Sequence, residues 1–219
     1  NLSNISKPNI SVSNVNVLLN INKLMIQTVP NFKNYVYSDF YIKRKLSEDD
    51  FTQIYIEQAN ILIREYDYPF NLGGQYRDIT NLSKGYSDIY FYPIEQNIST
   101  TSLFSVEAKR LPSPIKSREK EYVIGAKNNG GIERYKTEKH GKNLNKCGLL
   151  GFIEKEDCVH WLKEVNNWIL DLTELNNDWK KDEILINKES TKNYATFNSI
   201  AYKENNTFVD LTHLWIVLN

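Results

Sequence analysis

Two short runs of sequence constrain this chain most. The first is Gly85-Tyr86-Ser87-Asp88-Ile89-Tyr90-Phe91-Tyr92, and the second is Leu103-Phe104-Ser105-Val106-Glu107-Ala108-Lys109-Arg110-Leu111. Aromatic and β-branched residues dominate both. Pro93 and Asn97-Ile98-Ser99-Thr100-Thr101 mark a turn between them, so the pattern predicts two consecutive strands. A strand alternates its side chains between faces, which places Glu107 and Lys109 on the same side. Pairing through the intervening loop brings Asp88 to that side as well. Phe104 and Val106 before the charged pair, and Leu111 after it, embed it in an apolar strand, and buried charges are rare unless paired or bound to something. Two carboxylates and a lysine at a strand end are the parts that metal-assisted phosphodiester hydrolysis needs. The carboxylates hold a hard divalent cation, and the lysine orients or activates water and offsets charge developing on the phosphate. A solvated ion pair on a strand is the plainer alternative.

The rest of the chain sets bounds on that chemistry. Its 219 residues suit one domain, 1–219, and four Trp, nine Phe and fourteen Tyr are ample for a core. Net charge is zero, so no global field draws the protein to nucleic acid. The distribution is uneven: from Lys109 to Lys146 eleven Lys or Arg stand against four Glu, a local excess of seven positive charges. A basic segment directly after the Glu-x-Lys strand is where a phosphate backbone would lie, and a solvated lysine-rich loop is the alternative. Cys147 and Cys158 are too few for a disulfide scaffold or a zinc site, and His140, His160 and His213 show no metal-ligand spacing. His160 is read as a packing residue on a helix. No run reaches transmembrane length and no signal peptide is visible, so a soluble, cytoplasmic protein is expected, without a membrane partner. Abundant Asn, Lys and Ile point to an AT-rich genome, bacterial or phage.

Residues 1–12 read as polar and extended. The apolar crowding from Val15 to Thr28 predicts a buried helix stopped near Pro30. Ser47-Glu48-Asp49-Asp50 is a helix start, with Ser47 as cap, and the helix runs through Ile63. Gly73-Gly74 reads as a turn and Gln75 to Thr80 as a first strand. After Leu111-Pro112-Ser113-Pro114 comes a lysine-rich stretch. Asn129-Gly130-Gly131 then opens a helix carrying Ile132-Glu133-Arg134-Tyr135-Lys136. Cys147 to Ile153 predicts a strand and Asp157 to Leu175 an amphipathic helix. Thr196 to Tyr202 and Thr207 to Leu218 predict two late strands around the turn Glu204-Asn205-Asn206.

Asp88 followed by Glu107-Ala108-Lys109, in this order of elements, resembles the PD-(D/E)xK nuclease superfamily, with Ser87 where its pattern places proline. The segment Gly-Gly-Ile-Glu-Arg-Tyr and the strand Gly148 to Ile153 look similar to those of nucleases from bacterial defence and restriction islands. The resemblance implies an α/β (α+β) fold: a restriction-endonuclease-like core over 47–153, with a central mixed sheet flanked by helices. Residues 1–46 would form an N-terminal helical extension, and 154–219 a C-terminal helix and a β-hairpin. It implies a DNA endonuclease dependent on Mg²⁺, with Mn²⁺ able to substitute, working in restriction or anti-phage defence. RNA stays open as substrate, and a homodimer or a defence-system partner protein as assembly. Asp88 and Glu107 would bind the metal and Lys109 would complete the catalytic set. Members often add a glutamate from the first core helix. Glu48 and Glu57 are the candidates, about 13 Å apart along a helix at 1.5 Å per residue, and Glu48 is preferred. Capping is the alternative role for Glu48.

Other residues are candidates for holding nucleic acid. Arg134 follows a glycine turn at a helix start, where backbone N–H groups and a guanidinium can grip a phosphate oxygen. Arg110 and Lys136 belong to the same basic segment, and Gln75 precedes Asp88 on the expected first strand. Tyr122 and Tyr135 are assigned to the core, with base stacking as the alternative. A second reading keeps the fold as a catalytically silent nucleic-acid-binding subunit. No glycine-rich phosphate loop, nucleophile elbow or zinc signature supports a rival chemistry.

Overall fold

A computed structural model describes residues 14–38, 44–77, 85–94, 102–175, 178–204 and 207–219. The expected extended segment 1–12, the turn 97–101, the end of the expected strand at Thr80 and the turn residues Asn205 and Asn206 lie outside the described residues. Among the described residues, four α-helices and seven strands make an α+β fold with one mixed sheet. In chain order they are α1 (Asn14–Val36), α2 (Glu48–Glu65), β1 (Phe70–Tyr76), β2 (Ser87–Pro93), β3 (Phe104–Leu111), α3 (Gly131–Lys136), β4 (Lys146–Ile153), α4 (Cys158–Leu175), β5 (Ile186–Ser190), β6 (Tyr194–Tyr202) and β7 (Phe208–Val217). The sheet order is β1-β2-β3-β4-β7-β6-β5. β1, β2 and β3 form an antiparallel meander, β4 runs parallel to both β3 and β7, and β7, β6 and β5 are antiparallel.

The strand β3 is almost wholly buried, because strands pair on both its edges and helices cover both its faces. Phe104, Val106 and Ala108 point into the core formed with α1 and α2, and Leu111 into the core formed with α3 and α4. By strand parity Glu107 and Lys109 share the Leu111 side. The C-terminal hairpin is no appendage: β7 lies between β4 and β6 and completes the middle of the sheet.

Three local expectations need correction. The helix α1 does not stop at Pro30 but continues to Val36. Phe32 and Val36 extend its buried stripe beyond the proline. Burying two such side chains yields about 1.5–3 kcal/mol each, enough to offset the roughly 3 kcal/mol of an interior proline. Gly73 and Gly74 are not a turn but lie inside β1, paired with Tyr90 and Ile89. A Cβ on Gly73 would come within 2.6 Å of the Tyr90 ring, so glycine here makes room for a cross-strand aromatic. His160 does not pack in the core; it is exposed on α4, its ring edge-on to Trp161 at 5.1 Å. The edge strand β5, with the sequence INKES, carries no alternating apolar signal and was not anticipated. No described helix is long and apolar enough to cross a membrane.

Candidate functional site

The meander sets the first contact. Ile89 pairs with Val106 across β2 and β3, so Asp88 and Glu107 are level one step further on. Residues level across an antiparallel pair have Cβ atoms about 5 Å apart on one face. There the ladder gives way: the Ala108 backbone N–H donates to Asp88 Oδ2 at 2.8 Å, so a side chain replaces a strand partner. Glu107 is fully buried and Lys109 is 4% exposed, with Lys109 Nζ 2.8 Å from Glu107 Oε1.

The start of α2 supplies the third carboxylate. Ser47 caps this helix with a complete capping box, its hydroxyl accepting from the Asp50 N–H and the Asp50 carboxylate accepting from the Ser47 N–H. That cap places Glu48 in the first turn, against the end of β3. Glu48 Oε1 is 3.3 Å from Lys109 Nζ, and Glu48 Oε2 accepts from the Arg110 backbone N–H at 3.0 Å. Glu57 is exposed on the same helix and accepts from Gln53 at 2.8 Å, away from this cluster.

Arg134 and His140 close the site from the other side. Gly131 lets α3 approach β4 and the Tyr122 backbone closely, since a Cβ there would meet the Tyr122 carbonyl at 2.8 Å and the Leu149 side chain at 3.0 Å. The Tyr135 hydroxyl lies within hydrogen-bond distance of the Ser105 and Gly148 carbonyls, at 3.0 and 2.8 Å, and locks the helix to β3 and β4. The Arg134 guanidinium is thereby held against Glu107 Oε1. His140 Nδ1 stands 2.8 Å from Glu107 Oε2. His140 is the member that sequence reading missed. It lies 33 residues beyond Glu107 in a lysine-rich loop, and no local spacing ties the two together.

The electrostatics follow from this crowding. Burial alone would raise the Glu107 carboxyl, but Lys109, His140 and Arg134 outweigh it and hold the group well below the usual carboxylate range. Burial first, and the Glu107 charge second, push Asp88 up to about 7. Burial also raises Glu48, against the pull of Lys109. Burial would lower Lys109, but Glu107, Glu48 and Asp88 raise it above its ordinary value, so it stays an ammonium. Three carboxylates thus face two permanent cations, Lys109 and Arg134, in a largely desolvated corner.

The remaining candidates fall elsewhere. Lys136 is turned away: it is 5% exposed, its ammonium is bonded to Glu183, and it lies 4.5 Å from the centre of the Trp179 ring. Its assignment to nucleic-acid binding is therefore corrected to a structural ion pair. Arg110 forks onto Glu154 and lies over the Phe51 ring at 5.7 Å. Gln75 is exposed at the end of β1 with φ of 50°, between the pairs Gly74–Ile89 and Tyr76–Ser87 and so level with Asp88. Tyr122 and Tyr135 are both 1% exposed and belong to the core. Much of the basic excess is engaged locally: Lys120 faces Asp171, Lys146 faces Asp210, and Lys139 donates to the Lys127 and Asn128 carbonyls.

Comparison with protein-family models, curated proteins and solved structures gives no match. Among the described residues, no three His, Cys, Asp or Glu side chains stand ready-made as a metal cage. What the site offers a cation is a pair of level carboxylates, Asp88 and Glu107, with Glu107 Oε2 facing His140 while Lys109 and Arg134 sit on Oε1. That donor set fits a small divalent ion that keeps several waters and takes one or two carboxylates.

Proposed function

We propose that this protein is a divalent-metal-dependent nuclease that hydrolyses phosphodiester bonds, with DNA as the expected substrate. The observation that carries the reading is the meeting of Asp88, Glu107, Lys109 and Glu48 at one end of the sheet. Further support comes from the element order: a capped helix, an antiparallel three-strand meander, a short helix and a parallel strand, as a restriction-endonuclease-like core would require.

In this reading Asp88 and Glu107 hold the ion, Mg²⁺ or Mn²⁺, and Glu48 assists through water. When bound, the ion supplies Lewis-acid polarisation of a phosphoryl oxygen. Lys109 acts as a fixed positive charge that orients the attacking water and offsets charge on the phosphate. Because its pKa is raised, it is not the base. Arg134, partly exposed at the rim, is placed to exchange its contact with Glu107 for one to a phosphate oxygen. Hydrolysis joins the water oxygen to phosphorus and breaks the phosphorus–ester oxygen bond, and the leaving oxygen takes up a proton.

One observation favours the silent binding subunit instead. Lys109 and Arg134 already occupy Glu107 Oε1, so a cation must compete for that carboxylate. Incubation of native protein and Glu107→Gln with plasmid and with single-stranded DNA, in Mg²⁺ or Mn²⁺, decides between them. Metal-dependent cleavage that is lost in the variant supports the nuclease. Binding without cleavage by the native protein in either metal supports the subunit.

A further inference from the structure

The open side of β1 and β2 carries three tyrosines that neither core absorbs. Along β2, Ile89 and Phe91 are fully buried against α1 and α2, while Asp88, Tyr90 and Tyr92 alternate with them on the opposite face and remain partly exposed. Tyr90 lies over Gly73 of the neighbouring strand, in the space a Cβ would fill. Tyr76 stacks on Tyr90 with ring centres 4.2 Å apart, and Tyr90 on Tyr92 at 5.0 Å, each pair 20° from parallel. The result is a continuous aromatic shelf at the sheet edge, on the same face as the Asp88 carboxylate. At about 3.3 Å per residue, Tyr92 stands roughly 13 Å from Asp88 along the strand. A few nucleotides span that distance.

We infer that this shelf receives unpaired bases of a single-stranded nucleic acid whose backbone runs to the carboxylate site. The inference deepens the nuclease reading and rests on it for the direction of the strand. In a duplex each base already lies between its neighbours, so only unpaired bases present a face to an aromatic ring, and such stacking tolerates any sequence. The chemistry of the shelf matches that partner. Its rings are rigid, neutral and preformed by mutual stacking, so a base adds to an existing column without ordering new side chains. A further ring, Tyr86, is exposed just before β2 with the Arg77 guanidinium 5.9 Å from its centre, which puts a cation beside the shelf for the phosphate backbone.

The test is binding of fluorescently labelled (dT)10 and of a blunt 20-base-pair duplex in EDTA, where no cleavage intervenes. Tyr92→Leu keeps an apolar side chain at the end of the column and removes its ring. It should weaken (dT)10 binding about 5- to 100-fold, the loss of one stacking contact, and change duplex binding less than twofold. Tyr92→Trp should hold the single strand as tightly as native protein or tighter. Circular dichroism melting of both variants within a few degrees of native separates loss of stacking from loss of fold. Binding of (dT)10 by both Tyr92→Leu and Tyr90→Leu within twofold of native overturns the inference, as does equal loss on single strand and duplex. Cleavage is scored separately in Mg²⁺. Active native protein with unaffected tyrosine variants sinks the shelf alone. Inactive native protein whose tyrosine variants lose (dT)10 sinks the nuclease reading alone.

Discussion

The Glu48 carboxylate accepts a hydrogen bond from the Arg110 backbone N–H at 3.0 Å, across 62 residues of sequence. This contact joins the first turn of α2 to the end of β3, and with the Lys109 ammonium it sets where the third carboxylate stands. Local helix chemistry and the candidate active site are therefore linked: whatever frays the start of α2 moves Glu48.

Replacing the cap should reveal that link. Ser47→Ala removes the side-chain acceptor for the Asp50 N–H and should cost about 0.5–2 kcal/mol in a urea titration. The same variant should need more Mg²⁺ for half-maximal cleavage, because Glu48 loses its placement. Ser47→Thr, which retains a capping hydroxyl, should recover both properties.

Glu48 and Glu57 should behave differently when neutralised. Glu48→Gln is expected to raise the Mg²⁺ requirement, and Glu57→Gln to leave it unchanged, since Glu57 is exposed and accepts from Gln53 on its own helix. A metal titration in which only Glu57→Gln shifts the midpoint would show that the wrong carboxylate has been chosen.

Lys109→Ala should lower cleavage by about 10²–10³-fold, the usual loss for one electrostatic contact to a transition state. It should also lower the denaturant midpoint, because the buried Glu107 then keeps only Arg134 of its two permanent cations. Cleavage must therefore be measured at a temperature where circular dichroism shows the variant folded. Native-like cutting by that variant would remove the Glu-x-Lys pair from catalysis.

Acid sensitivity should expose a second buried network. His213 is fully buried, with Nδ1 2.7 Å from the Tyr122 hydroxyl and Nε2 2.9 Å from Ser199 Oγ, and burial pushes its pKa down from 6.5 to about 3. The folded protein keeps it neutral while the unfolded chain protonates below 6.5, so its contribution is full above that pH and shrinks as pH falls toward 3. At pH 5 the loss is about 2 kcal/mol. Asp88 acts in the opposite sense: its carboxyl, raised to about 7, takes up a proton in the folded state first, so acidification from pH 7.5 favours folding through this group. Asp88→Asn should therefore lose more stability between pH 7.5 and 5 than native protein does, as read from denaturant midpoints. Equal slopes would contradict the opposing pair.

The alternation in β3, the Ser47 cap and the amphipathic stripe of α4 were legible because each depends on neighbours within a few residues. Period-2 patterning alone placed Glu107 and Lys109 on one face, and the capping signature alone placed Glu48 in the first turn of a helix. Where local rules met packing, packing won. Pro30 sits inside α1 because Phe32 and Val36 gain more from burial than the helix loses, and Gly73 sits inside β1 because Tyr90 occupies its Cβ space. The arrival of His140 at Glu107 and the burial of Lys136 on Glu183 left no trace in the sequence. Both depend on how α3 docks on the sheet, through contacts such as those of Tyr135 with strands β3 and β4. Local sequence determined which residues carry charge on which face of each element. Only the tertiary structure decided which of those charges meet, because ion pairs across tens of residues follow from how helices and strands pack together and not from spacing along the chain.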